Sequence, residues 1–150
     1  MRYRRTIVVA APLEDAFAYV ADFGRAAEWD PGLIESRRLD EGPLRVGSAF
    51  HIVADVRGKP QQFRYAITDY DAPRRIVIEG DGEKATSRDE VLFEAAGASP
   101  DDGTRVTYDV DLRLKGARRI AEPFLGSYVE ALGDKALAGL QAKLDALPRS

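Results

Sequence analysis

Between Leu33 and Lys115 turn-forming clusters interrupt the chain at strand-like intervals: "DEGP", "RGKP", "DAPRR", "GDGEK" and "GASPDDG". Their Gly, Pro and Asp residues supply a positive φ, a fixed φ or a local side chain to backbone hydrogen bond. Six strand candidates remain between them, at Leu33–Leu39, Ser48–Arg57, Gln61–Tyr70, Arg75–Glu79, Thr86–Ala95 and Thr104–Lys115. Links this short join sequential strands as hairpins, so the expected arrangement is an antiparallel meander.

Both flanks of this region differ from it. The opening "RYRRTIVVA" alternates, with Tyr3, Arg5, Ile7 and Val9 on one side, and reads as a further strand. Helical pattern begins at Pro12, whose locked φ suits a first helical position, with Glu14 and Asp15 complementing the positive helix start. Phe17, Val20 and Ala21 give that helix a sticky face, and a second short helix, capped by Asp22, is expected through Glu28 before "WDPG" turns the chain. From Ala117 to Leu147 the period becomes four: Ile120, Phe124, Tyr128, Leu132, Ala136, Leu140 and Leu144 recur, widened by Leu125, Val129 and Leu137. This pattern predicts one helix of about 30 residues, ~45 Å long, bent at Pro123 or loosened at Gly126, Gly133 and Gly139. A single α+β domain over residues 1–150 follows: a seven-stranded antiparallel sheet, two short helices after its first strand, and a long C-terminal helix laid across it.

Composition narrows the function. With 45% hydrophobic and 31% charged residues the chain is of globular type. A net charge of −3 argues against a nucleic-acid partner, because phosphate binding needs clustered excess Lys and Arg. The pairs Arg37-Arg38, Arg74-Arg75 and Arg118-Arg119 are scattered among acids and read as solvated surface. The absence of cysteine removes disulfides, thiolate metal sites and thiol nucleophiles, and a single His removes a His-based cluster, so no metal or cofactor is expected. No apolar run approaches the ~18 residues of a membrane-spanning helix, and none near Met1 suits a secretory leader, which makes the cytoplasm the default location. Monomer and homodimer both remain open.

Strand alternation indicates which side chains face the helix. The inner sets are Phe50, Ile52, Ala54 and Val56; Phe63, Tyr65 and Ile67; Ile76 and Ile78; Ser87, Asp89, Val91, Phe93 and Ala95; and Val106, Tyr108, Val110, Leu112 and Leu114. The space between sheet and helix is either filled by these residues or left as a pocket. Apolar walls with tyrosine hydroxyls and one carboxylate are what a small-molecule site uses. The candidate ligand-contacting residues are therefore Phe50, Ile52, Phe63, Tyr65, Ile78, Asp89, Val91, Tyr108, Val110, Phe124 and Tyr128. Asp89 is the candidate acid or base, because a carboxylate among apolar neighbours has a raised pKa. His51 alternates with Phe50 and Ile52 and so faces outward with Asp55. Trp29 reads as a packing anchor, and the glycines of "GDGEK" as a turn.

The segments "IVVAAPLEDAFAYVADFGRAAEW", "VGSAF", "ITDYDAPRRIVIEG" and "DDGTRVTYDVDL", in this order, resemble the START-like (SRPBCC) superfamily, in its polyketide cyclase/dehydrase and lipid-transfer branch. The resemblance implies a helix-grip fold, in which a curved sheet wraps the C-terminal helix around an apolar cavity for lipids, polyketides, sterols, quinones or similar molecules. It implies no single reaction, since a fold does not decide a function. The first expectation is a carrier or binding protein for a hydrophobic small molecule. The alternatives are a cofactor-independent cyclase or dehydratase using Asp89 and a tyrosine, and a protein-interaction or co-chaperone module. The catalytic residues are left unassigned.

Overall fold

The computed structural model describes residues 1–148. The first strand, β1 (Arg2–Val9), leads into α1 (Leu13–Ala21) and a 3-10 helix at Phe23–Glu28. Six strands follow: β2 (Leu33–Arg38), β3 (Ala49–Val56), β4 (Lys59–Asp71), β5 (Arg75–Gly82), β6 (Ala85–Ala95) and β7 (Thr104–Leu114). A short 3-10 helix at Pro100–Asp102 links β6 to β7, and a third at Gly116–Phe124 precedes the C-terminal helix α2 (Gly126–Ala146). All seven strands form one antiparallel sheet in the order β1-β7-β6-β5-β4-β3-β2. β2 to β7 make the expected meander, and β1 closes it beside β7, with Arg2 opposite Asp111 and Val9 opposite Thr104.

Inward-facing residues follow the predicted alternation. Phe50, Ile52, Ile67, Ile76, Ile78, Val91 and Val106 are almost wholly buried, and Leu137, Leu140 and Leu144 bring α2 onto them. A bulge between Ile67 and Asp69 resets the parity of β4 and turns Tyr70 inward, where Phe17 of α1 meets it edge-on at 5.4 Å. Phe17 also packs on Phe93 at 5.2 Å, so α1 fills one end of the space beneath the sheet.

Five expectations change. Pro12 is the N-cap, with extended ψ 157°, and Leu13 is the first helical residue. β5 continues through Gly80 and Gly82, which pair with Tyr65 and Phe63 of β4, so two of the glycines read as a turn are strand residues. The bulky rings lie where a Cβ on either glycine would project. The long C-terminal helix is two elements: its first third is the 3-10 helix, and α2 begins only at Gly126. Pro123 lacks an N–H for an α-helical ladder, and Glu122 reaches back to accept from the Leu114 amide at 2.9 Å. Ile120 and Phe124, placed on the buried stripe by their spacing, are 78% and 83% exposed. Finally, Gly133 and Gly139 do not loosen α2. They let it approach closely, Gly133 beneath the Tyr3 ring and Gly139 against the Trp29 carbonyl.

Among the described residues, no helix is long and apolar enough to cross a membrane.

Candidate functional site

Because α1 fills only one end of the sheet–helix space, the other end stays open as a cavity of about 220 Å³. β3 supplies Ile52, Ala54 and Val56 to its wall, and β4 supplies Phe63 and Tyr65. β6 contributes Ser87 and Asp89, and β7 contributes Tyr108, Val110 and Leu112. The first turns of α2 add Val129, Leu132 and Leu137. Tyr3, Phe23, Trp29, Asp30 and Leu33 complete the lining from β1, the first 3-10 helix and the start of β2.

The polar groups converge at one place. The Tyr108 hydroxyl donates to Asp89 Oδ2 at 2.9 Å, and the Ser87 hydroxyl donates to Asp89 Oδ1 at 2.7 Å. Asp89 is 6% exposed and is surrounded by apolar inward neighbours: Ile78 and Val110 are its cross-strand partners, and Val91 is the next inward residue of β6. Burial disfavours the charged carboxylate and outweighs the two donated hydrogen bonds, raising its pKa from 3.8 to about 6. Tyr65, 9% exposed, lies beside Ser87 and Asp89, and burial with the nearby carboxylate holds its hydroxyl well above the usual tyrosine range. The same two causes, with the hydrogen bond to Asp89, raise Tyr108. Both phenols are therefore neutral at physiological pH and able to donate or accept.

Asp30 forms a second polar point on the wall. Its Oδ1 accepts from the Gly32 amide at 2.8 Å, and burial raises its pKa. Trp29 stands edge-on to Tyr108 with ring centroids 6.1 Å apart, so it packs against the fold and lines the cavity at once. Phe23 and Phe63 flank Tyr65 at 5.0 and 6.0 Å.

Of the residues singled out from sequence, Ile52, Phe63, Tyr65, Asp89, Tyr108 and Val110 line this cavity. Phe50, Ile78 and Val91 face inward as expected but lie in the packed core around it, with no wall position. Tyr128 lies outside, because its hydroxyl accepts from the Arg57 amide at 3.2 Å and its ring sits beneath the Arg57 guanidinium at 5.1 Å. Phe124 points to solvent. Tyr3, Phe23, Trp29, Asp30 and Leu33 were not among the candidates, although the alternation of β1 already turned Tyr3 inward. His51 pairs with Arg64 across β3 and β4 on the outer face, and it has no place in the cavity wall. Among the described residues no group of three His, Cys, Asp or Glu is disposed to hold a metal ion.

A sheet curved around a C-terminal helix, with a mostly apolar chamber between them, agrees with comparison at the family level. The model of the family described as polyketide cyclase/dehydrase and lipid transport matches residues 1–145. The chain belongs to this family. The START-like assignment read from the opening and strand motifs therefore holds over nearly the whole chain. Solved structures agree in fold. An aromatase/cyclase from Streptomyces sp. R1128 superposes with a TM-score of 0.79 at 18% identity, covering 97% of this chain and 93% of its own. A protein of Thermus thermophilus gives 0.79 at 15% identity, covering 96% and 97%. A START superfamily protein from Mycobacterium smegmatis gives 0.69 at 19% identity, covering 96% and 94%. No curated protein matches the sequence.

Proposed function

We propose that this family member binds a small, largely apolar molecule bearing a hydroxyl or carbonyl group, holding that group at Asp89, Tyr108, Tyr65 and Ser87. The observation that carries the reading is a carboxylate with two donors at one point of an otherwise apolar chamber. Apolar walls supply affinity, and a few convergent polar groups fix orientation. Size limits the ligand. About 220 Å³ lies below the roughly 300–1,000 Å³ of sites that enclose drug-sized molecules, so one or two fused rings fit and a long acyl chain would project through the mouth.

Trp29, the single tryptophan, is a built-in reporter because it lines the chamber against Tyr108. Titration of its emission with 2-naphthol is expected to saturate, and naphthalene, which lacks the hydroxyl, to bind about tenfold more weakly. Tyr108→Phe should remove most of that difference, since one hydrogen bond to a buried charged or polar group contributes about 1–3 kcal/mol. Equal affinity for both probes in the wild type would remove the orienting role of the cluster.

A second reading rests on the pKa of Asp89. A carboxyl near 6 exchanges protons close to neutrality, as a general acid or base must, and the cyclase/dehydrase name of the family is compatible with such a step. In this reading Asp89 moves the proton and Tyr108 or Tyr65 polarises a carbonyl. Asp89→Asn would then abolish turnover of a cyclisable ketone chain while 2-naphthol still binds; loss of both together favours the carrier.

A further inference from the structure

The segment that joins β7 to α2 carries two large apolar side chains in solvent, Ile120 at 78% and Phe124 at 83% exposure. Burying such residues is worth far more than leaving them wet, and an exposed apolar pair beside cations is the composition of a surface that meets an interface. The cations are present. Arg118 and Arg119 immediately precede Ile120, both exposed, and neither guanidinium has a hydrogen bond or ion pair with another described residue. In this they differ from the other arginine pairs, where Arg38 meets Asp40 and Arg75 meets Asp69 and Glu90.

Three acids of this region, Glu122, Asp81 and Asp55, are engaged by other groups. Glu122, the only acid of the segment, is drawn inward by the Leu114 amide at 2.9 Å and the N-terminal ammonium at 3.7 Å. Asp81 is held by Lys115 at 2.6 Å, and Asp55 accepts from the Gly58 amide at 2.7 Å. Arg57, a third exposed cation, sits where the β3–β4 turn touches Tyr128. The segment runs from the end of β7, which gives Leu112 to the chamber wall, to the start of α2, which gives Val129.

We infer that Arg118, Arg119, Ile120 and Phe124 form a docking surface for an anionic lipid bilayer, which turns the end of the chamber lined by Leu112 and Val129 toward the membrane. Charge complementarity selects this occupant over a second copy of the chain, because a two-fold contact through the patch would oppose the unpaired arginines of both copies. Apolar insertion and cationic attraction are the two signals that reversible membrane association needs. The inference goes beyond ligand binding in the chamber and does not depend on it.

The test is co-sedimentation of the full chain with vesicles of phosphatidylcholine alone and of an equimolar mixture with phosphatidylglycerol. Binding is expected to the mixed vesicles only and to fall steeply with added salt. Replacing both arginines, Arg118→Ser with Arg119→Ser, should weaken it about tenfold or more, as should Phe124→Ser. Because these side chains touch little, melting temperatures should be unchanged, and 2-naphthol binding to the arginine variant should match the wild type. Failure of the wild type to sediment with mixed vesicles, or sedimentation indifferent to Phe124→Ser and to the arginine replacements, overturns the inference. So does a dimer in sedimentation equilibrium without lipid that Phe124→Ser dissociates, which would assign the patch to self-association. Naphthol binding that fails in the wild type removes the chamber reading and leaves the vesicle result standing.

Discussion

Tyr108 donates its hydroxyl proton to Asp89 Oδ2 at 2.9 Å from the neighbouring strand, and Ser87, two residues before Asp89 on the same strand, donates to Oδ1 at 2.7 Å. Two donors are not enough to offset the burial of this carboxylate, whose pKa stands at about 6.

This sets the sign of a pH effect. A carboxyl whose folded pKa is raised binds its proton more tightly when folded, so its favourable contribution is complete below about pH 4. That contribution is lost as pH rises to about 6 and is flat above. A shift of about two units is worth about 3 kcal/mol, an order-of-magnitude figure. Asp89→Asn should therefore be more stable than the wild type above about pH 7, by about 2 kcal/mol, and no more stable near pH 4. Urea midpoints of both proteins across this range measure the difference. A constant offset at every pH would mean that the carboxylate is not desolvated.

Gly80 faces Tyr65 across β4 and β5, and the ring occupies the place of a side chain on the glycine. Gly80→Ala should destabilise by about 1–3 kcal/mol through overpacking. It should also push the Tyr65 ring toward the chamber, weakening naphthol binding measured from Trp29. An unchanged urea midpoint together with unchanged affinity would show that the ring is free to move.

The glycines of α2 are expected to respond with opposite signs. Alanine has a higher helix propensity by up to about 1 kcal/mol. At Gly126 nothing stands within 4 Å of an added methyl, so Gly126→Ala should raise the melting temperature slightly. At Gly139 the methyl would meet the Trp29 carbonyl oxygen, so Gly139→Ala should lower it despite the same propensity gain. Thermal melts of the two single variants, read with the emission of Trp29, decide the matter.

What was legible in the sequence followed from rules that hold along one element. Alternation turned Tyr65 and Tyr108 toward the helix and His51 away from it, and in β6 the charges of Arg88, Glu90 and Glu94 on the opposite set turned Asp89 inward, because a strand with one buried face leaves no freedom of register. The six strands of the meander and their antiparallel pairing followed from turn chemistry and β1 from its own alternation, whereas the place of β1 beside β7 did not. Features that depend on two distant elements were not legible. Phe50, Ile78 and Val91 share the inward parity of the wall residues, yet only the placement of α1 and the neighbouring strands decides that they are core and Ile52 is wall. The four-residue period continued through Ile120 and Phe124, where no partner surface exists for it, since periodicity records amphipathicity without recording contact. Gly80 and Gly82 did carry a signal, as they continue the inward alternation of Ile76 and Ile78 opposite two aromatic residues.

The pairing of β1 with β7 joins residues distant in sequence, from Arg2 opposite Asp111 to Val9 opposite Thr104. During synthesis β1 emerges before its partner and waits while β2 to β6 follow, with Tyr3, Ile7 and Val9 lacking the surface they will cover. Contacts of such separation slow folding, because loop closure must precede any gain from the pairing. Sheet completion thus waits until β7 has followed β1 out of the ribosome, and the nascent β1 segment is the stretch that a ribosome-associated holdase would be expected to shield.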